Sequence, residues 1–115
     1  MKLLLILNRR PDDGTDVTWN ALRLAAQVQK DGMQVRIFLM NDSVDLARDG
    51  FPALPDFDLQ KMLLDIIAGG AEAKLCKTCI NRCGIGAGQI RPEVKIGTMP
   101  ELSEWVRSSD RVISF

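Results

Sequence analysis

The chain has 115 residues, of which 46% are hydrophobic and 26% charged, and its 15 Lys and Arg residues balance its 15 Asp and Glu residues. This size and composition predict one globular domain, residues 1–115, with a single hydrophobic core. A neutral chain with four Phe, two Trp and no Tyr has neither the positive field nor the stacking aromatics of a nucleic-acid-binding protein. We therefore expect no nucleic-acid partner.

The first residues resemble the start of a signal peptide. However, the apolar run Leu3–Leu7 is shorter than the about 7–15 residues of a signal h-region. No segment approaches the ~20 apolar residues of a membrane span. We expect a cytoplasmic protein with no membrane partner. In that reducing compartment, three clustered cysteines indicate catalysis or metal binding more than structural disulfides.

The first forty residues predict a βαβ unit. Leu3–Leu7 is an unbroken apolar run, as expected for a strand that is covered on both faces. A helix capped by Thr15 or Asp16 then runs to about Lys30, and Val35–Met40 forms a second apolar strand. Two strands joined through a helix predict a parallel sheet.

The rest of the chain continues the alternation of strands and helices. The further predicted elements are helical turns at 44–48, a helix at 59–68, a strand at 73–75, a short helix to residue 83, a strand at 94–97, a last helix and a strand at 111–115. We expect Leu102, Trp105 and Val106 to form the buried face of the last helix. The pattern predicts an α/β fold: a single-domain open, mostly parallel sheet with helices on both faces, Rossmann- or flavodoxin-like.

The loop at 50–57 contains three apolar residues that we expect to be exposed, Phe51, Leu54 and Phe57. Exposed apolar side chains on a small α/β domain favour packing against other copies of the chain.

All three cysteines lie in the stretch LCKTCINRCGI, residues 75–85, and the chain has no histidine. Cys76 is predicted to stand where the third strand ends and a helix begins. The unpaired N–H groups of a helix N-terminus stabilise a thiolate, and Lys77 and Arg82 add positive charge nearby. Cys76 is thus the candidate nucleophile, and Cys79 follows about one helical turn later.

Other roles for the cysteines remain open at this point. Free cysteine is among the most buried residue types, and Cys83 is the one for which packing alone is the simplest explanation. The spacing C-x2-C-x3-C supplies three thiolates without the fourth ligand of structural zinc. It also differs from the usual cysteine spacing that binds iron–sulfur clusters in ferredoxins. Cys76-x-x-Cys79 is similar to a thioredoxin dithiol, but it follows the third predicted strand and not the first. We expect no resident metal or other cofactor.

Two stretches carry a resemblance to a known family. FLMNDSVDLA, residues 38–47, is similar to a segment in which a strand is followed by D-x-V, here beginning at Asp42. LCKTCINRCGI is similar to a C-G-T-C-x-x-x-R-G-I pattern. On these motifs, and on length and element order, essentially the whole chain resembles the DsrE/DsrF-like family.

The resemblance also points to particular residues. Counting back eight positions from Gly84 places the family's active cysteine on Cys76, and Cys79 matches the second cysteine of the small-member pattern. The arginine that usually precedes the glycine is replaced by Cys83, with Arg82 one place earlier.

Membership would imply a small α/β fold, assembly as a homotrimer or homohexamer, and a sulfurtransferase-like role. In that role Cys76 carries sulfur as a persulfide between a donor protein and an acceptor protein. Cys79 is the second catalytic candidate, and the possible auxiliary residues are Cys83, Lys77, Arg82 and Asp42. The alternatives are a non-catalytic oligomeric binding or scaffold protein, and a thiol-redox or metal-binding protein that uses the three cysteines.

Overall fold

The structure is a computed structural model that describes residues 1–115. Its strands are β1 (Lys2–Leu7), β2 (Gln34–Leu39), β3 (Glu72–Cys76), β4 (Lys95–Gly97) and β5 (Arg111–Ser114). Its α-helices are α1 (Val17–Lys30), α2 (Leu59–Ala68), α3 (Lys77–Arg82) and α4 (Met99–Ser108). Two 3₁₀ segments, Asn41–Ala47 and Ala87–Gln89, complete the elements. None of the helices combines the length and the apolar character needed to cross a membrane.

The five strands form one sheet in the order β4-β3-β2-β1-β5, and every neighbouring pair is parallel. The chain adds β2, β3 and β4 on one side of β1 and then crosses to add β5 on the other side. All carboxyl ends of the strands therefore meet at one edge of the sheet. The predicted α/β fold is confirmed, and the sheet is parallel throughout.

Helices cover both faces of the sheet, but unequally. One face is buried under α1 and α2 in a cluster of 22 residues that includes Leu5 and Ile37. The other face is covered by α4 in a cluster of five residues: Leu4, Phe38, Cys76, Leu102 and Trp105. Burial on both faces explains why β1 contains the unbroken apolar run Leu3–Leu7 and why β2 is largely apolar.

The apolar surface of the chain lies elsewhere than the sequence indicated. Phe51 is only 6% exposed, and Phe57 stacks on Trp19 with ring centroids 5.4 Å apart. The expectation that this loop presents apolar side chains to solvent was wrong, because these rings pack onto the chain's own core. Val106, predicted to be buried, is 43% exposed, since α4 turns only Leu102 and Trp105 toward the sheet.

Candidate functional site

Cys76 lies at the boundary between β3 and α3, as the sequence predicted. It is the last residue of the strand and the N-cap of the helix, and its Sγ accepts a hydrogen bond from the backbone N–H of Cys79 at 3.3 Å. Its side chain belongs to the smaller core cluster with Phe38 and Trp105, and the residue is 9% exposed. Cys76 is thus an inward-facing thiol that a helix N–H contacts.

Cys79 occupies the first turn of α3 and is half-buried. Its side chain packs against both core clusters, and its Sγ accepts a hydrogen bond from the backbone N–H of Asn41 at 3.1 Å. Burial and the neighbouring Cys76 thiol raise the pKa of Cys79, whereas the Asn41 N–H opposes that rise. Cys79 therefore interacts with Cys76 on one side and with the end of β2 on the other.

Cys83 is exposed at the C-cap of α3. Its Sγ lies 3.9 Å from Oδ1 of Asp42. Burial of the sulfur, followed by the charges of Asp42 and Asp45, raises the pKa of this thiol, and Arg82 partly opposes them. Packing alone, the simplest explanation of Cys83 from the sequence, does not fit a residue that is exposed.

A surface cleft of about 480 Å³ opens at the carboxyl edge of the sheet. It is lined by Asn41, Asp42, Cys79, Arg82 and Cys83. The structure thus brings together four of the residues proposed from sequence. The other two lie outside this lining: Cys76 is behind it in the core, and Lys77 is exposed on α3. A second cleft, of about 410 Å³, shares Asp42 and Cys83 with the first.

Sequence reasoning missed two residues of this edge, Asn41 and Asn8. Asn41 has a left-handed backbone, with φ of +53°, and its Nδ2 donates to Oδ1 of Asn8 at 3.0 Å. Asn8 in turn donates through Nδ2 to Oγ of Ser114 and to the backbone oxygen of Phe115, both at 3.0 Å. Asn8 directly follows β1, and Asn41 comes two residues after β2 ends. The sequence signal that could have identified both residues is a polar side chain just beyond the end of a predicted parallel strand.

The Cys, Asp and Glu side chains form no group of three or more that could hold a metal ion. Although the three cysteines are close in sequence, α3 spreads them from the core to the surface. The arrangement therefore does not support the metal-binding alternative.

Known proteins with similar sequences cover the whole chain. It is 34% identical to protein YchN of Escherichia coli (strain K12) over 116 residues, which span 99% of this chain and 98% of that protein. It is 29% identical to protein MJ0989 of Methanocaldococcus jannaschii over the full length of both chains.

Solved structures show the same fold. The crystal structure of YchN from Escherichia coli matches with a TM-score of 0.89, covering 100% of this chain and 99% of that one. Protein MTH1491 of Methanobacterium thermoautotrophicum matches with a TM-score of 0.79 at 10% identity, covering 99% and 98% of the two chains, which is a likeness of fold alone. The model of the DsrE/DsrF-like family matches residues 1–115, and the chain belongs to that family.

Proposed function

We propose that this protein is a sulfur-relay protein, which carries sulfur as a persulfide on Cys76 and passes it to an acceptor thiol. One observation carries the proposal. The Cys76 sulfur stands at a strand-to-helix boundary, accepts the N–H of Cys79 at 3.3 Å, and has a second thiol beside it. The thiolate is the reacting form of a cysteine, and the Cys79 N–H is placed to donate to it.

The proposed reaction is a pair of sulfur exchanges without net oxidation. The Cys76 thiolate attacks the outer sulfur of a donor persulfide, the donor's S–S bond breaks, and the donor leaves as a thiolate that takes up a proton. An acceptor thiolate then attacks the outer sulfur of the Cys76 persulfide and releases the Cys76 thiolate. Each step follows the rules of thiol–disulfide exchange, in which thiolate fraction and access set the rate.

Cys79 has a separate role in this proposal. Its thiolate can attack the inner sulfur of the Cys76 persulfide, which forms a Cys76–Cys79 disulfide and expels hydrosulfide. Cys79 lines the cleft whereas Cys76 does not. Because Cys76 is only 9% exposed, a donor has to reach it past Cys79. The proposal therefore treats Cys79 as both the resolving thiol and the residue that controls access.

The partners in this proposal are a sulfur donor protein and an acceptor protein, which meet the cleft. Arg82 and Asp42 line the cleft beside Cys83 and would contact them, with Lys77 exposed nearby. We also propose that the chain assembles as a homotrimer or homohexamer. Exposed apolar side chains on α4 and β5, Met99 at 61% and Val112 at 42%, support contacts between copies. Size-exclusion chromatography with light scattering tests the assembly.

The decisive experiment is mass spectrometry after incubation with inorganic polysulfide. We expect wild type to gain sulfur and Cys76→Ser to gain none, while Cys83→Ser loads like wild type. Cys79→Ser should retain the Cys76 persulfide longer, because no second thiol discharges it. The absence of any adduct on Cys76 with polysulfide or with a protein persulfide would exclude the relay function.

A second candidate, a thiol-redox protein, is favoured by the closeness of Cys76 and Cys79, since the Cys79 backbone N–H donates to Sγ of Cys76 at 3.3 Å. Treatment with hydrogen peroxide in the absence of a sulfur donor separates the two functions. A redox protein forms a Cys76–Cys79 disulfide that thioredoxin reduces, and it gains no sulfur from polysulfide. A scaffold protein of the same fold would show neither reaction.

A further inference from the structure

We propose that Asn41 is a positioning residue of the cysteine site, whose left-handed backbone aims its N–H at the Cys79 sulfur. This inference treats Cys79 as a working thiol and so rests on the proposed function. Asn41 would act through Cys79 without touching the transferred sulfur.

The first supporting observation is the backbone conformation. Asn41 is the one non-glycine residue of the chain with a positive φ, +53°. Such a conformation is unfavourable for an ordinary L-residue, and asparagine is among the few residues that adopt it readily. Strained backbone persists where the surrounding structure imposes it, and it concentrates at functional sites.

The second observation is the contact that this conformation creates. The Asn41 N–H donates to Sγ of Cys79 at 3.1 Å, and it makes no other hydrogen bond. The N–H groups of Met40 and Ser43 serve the fold instead: that of Met40 donates to the backbone oxygen of Leu7, and that of Ser43 donates to the backbone oxygen of Met40. The Asn41 N–H has no such role in the fold and donates to the cysteine.

The third observation is that side chains hold this donor in place. The amide of Asn41 bonds to Asn8, and Asn8 bonds to the end of β5 at Ser114 and Phe115. This network ties together the carboxyl ends of β1, β2 and β5 around the N–H. Among the effects on Cys79, the Asn41 N–H is the one that lowers its pKa, against burial and the Cys76 thiol.

Two substitutions separate the backbone effect from the side-chain effect. Asn41→Gly and Asn41→Val both delete the amide that bonds to Asn8, but glycine accepts a positive φ freely and a β-branched residue does not. We expect Cys79 alkylation by iodoacetamide at pH 8 to be about fivefold slower in Asn41→Val than in Asn41→Gly, as expected for one lost hydrogen bond of about 1 kcal/mol. The pH midpoint of alkylation should move upward in the valine variant.

The sequence allows each thiol to be followed separately. Cleavage after Lys74, Lys77 and Arg82 leaves Cys76, Cys79 and Cys83 on different tryptic peptides, residues 75–77, 78–82 and 83–95. A purely structural role would change the unfolding temperature of the valine variant and leave its Cys79 pH profile equal to that of the glycine variant. Equal profiles would overturn the inference.

If Asn41→Val does not fold, Asn41→Ala takes its place, since alanine opposes the left-handed backbone less strongly. The same direction of change relative to Asn41→Gly is expected, and equal profiles again refute the inference. Alkylation requires no persulfide, so the outcome is independent of the relay. If the glycine and valine variants differ in Cys79 alkylation but wild type takes up no sulfur from polysulfide, only the relay function is refuted. If wild type takes up sulfur but the two variants do not differ, only the role of Asn41 is refuted.

Discussion

The sulfur of Cys83 lies 3.9 Å from a carboxylate oxygen of Asp42, although 41 positions separate the two residues in sequence. The contact joins the C-cap of α3 to the 3₁₀ segment after β2, and both residues line the cleft. A negative charge beside a thiol disfavours the thiolate. Burial of the sulfur and then this charge raise the pKa of the Cys83 thiol, so that less of it is in the nucleophilic thiolate form.

Replacing Asp42 by asparagine should make Cys83 more reactive. Loss of one like charge at this distance should raise the rate of Cys83 alkylation at pH 8 about threefold, and it should shift the pH profile downward. The effect should shrink in 1 M salt, since the charge is solvent-exposed. Alkylation followed on the tryptic peptide 83–95 measures it.

Asp56→Asn is the matched control, because Asp56 is an exposed carboxylate in a different loop with no ion pair. That variant should alkylate Cys83 at the wild-type rate. A Cys83 profile unchanged by Asp42→Asn would mean that Asp42 does not contribute to the pKa of this thiol, and that burial and Asp45 set it.

Ser43 secures the segment that carries Asn41 and Asp42. Its side chain is fully buried, and its hydroxyl lies 2.7 Å from the backbone oxygen of Leu7 and 2.6 Å from that of Met40. We expect Ser43→Ala to lower the free energy of unfolding by about 1–3 kcal/mol, because a buried hydrogen bond is lost. Urea denaturation at fixed protein concentration checks this, with Ser103→Ala, an exposed serine on α4, expected to be near neutral.

The fold could be predicted from the sequence because short runs of residues specify each of its strands and helices. An unbroken apolar run in β1 and a largely apolar run in β2 indicate strands that are buried on two faces, and alternation with helices then implies a parallel sheet. The same logic predicted the position of Cys76, the proposed nucleophile, at the carboxyl end of a parallel strand, and Cys76 is the last residue of β3. Family membership was predicted from the two motifs and is confirmed.

The sequence did not predict which thiols face the cleft. Helical spacing places Cys79 and Cys83 on one side of α3, and the end of this helix was predicted within one residue. Which thiol is covered depends instead on how the helix packs: Cys79 contacts both core clusters, whereas Cys83 is exposed. Asn41 was missed for a similar reason, because its contacts with Asn8 and Cys79 join residues that are distant in sequence.

Close packing behind Cys76 provides a stability test. Gly97 of β4 pairs in register with Cys76, and a Cβ added there would meet Cε2 of Phe38 at 3.1 Å and Cβ of Lys74 at 3.2 Å. We expect Gly97→Ala to destabilise the fold by about 1–3 kcal/mol through overpacking. Gly88→Ala is the control, since nothing lies within 4 Å of its added Cβ. Equal urea midpoints for the two variants would show that the sheet accommodates the added methyl group without a loss of stability.

The ion pair between Lys74 and Glu101 should make the stability of the fold depend on pH. Nζ of Lys74 lies 2.6 Å from Oε2 of Glu101, joining β3 to α4, and it also lies 4.9 Å from the ring centroid of Trp105. The hydrogen bond from Lys74, followed by that from Thr98, lowers the pKa of Glu101 below its usual 4.5. The stabilisation is therefore complete above pH 4.5 and is lost as the pH falls through the lower, folded-state value.

A double-mutant cycle isolates this pair. Glu101→Gln should lower the urea midpoint at pH 7, and the difference from wild type should vanish once the pH falls below the folded-state pKa of Glu101. In a Lys74→Met background the same substitution should have a smaller effect at pH 7, because the cation that stabilises the carboxylate is absent. A Glu101→Gln difference that persists unchanged down to pH 2 would assign the effect to packing of α4 and not to the charge of Glu101.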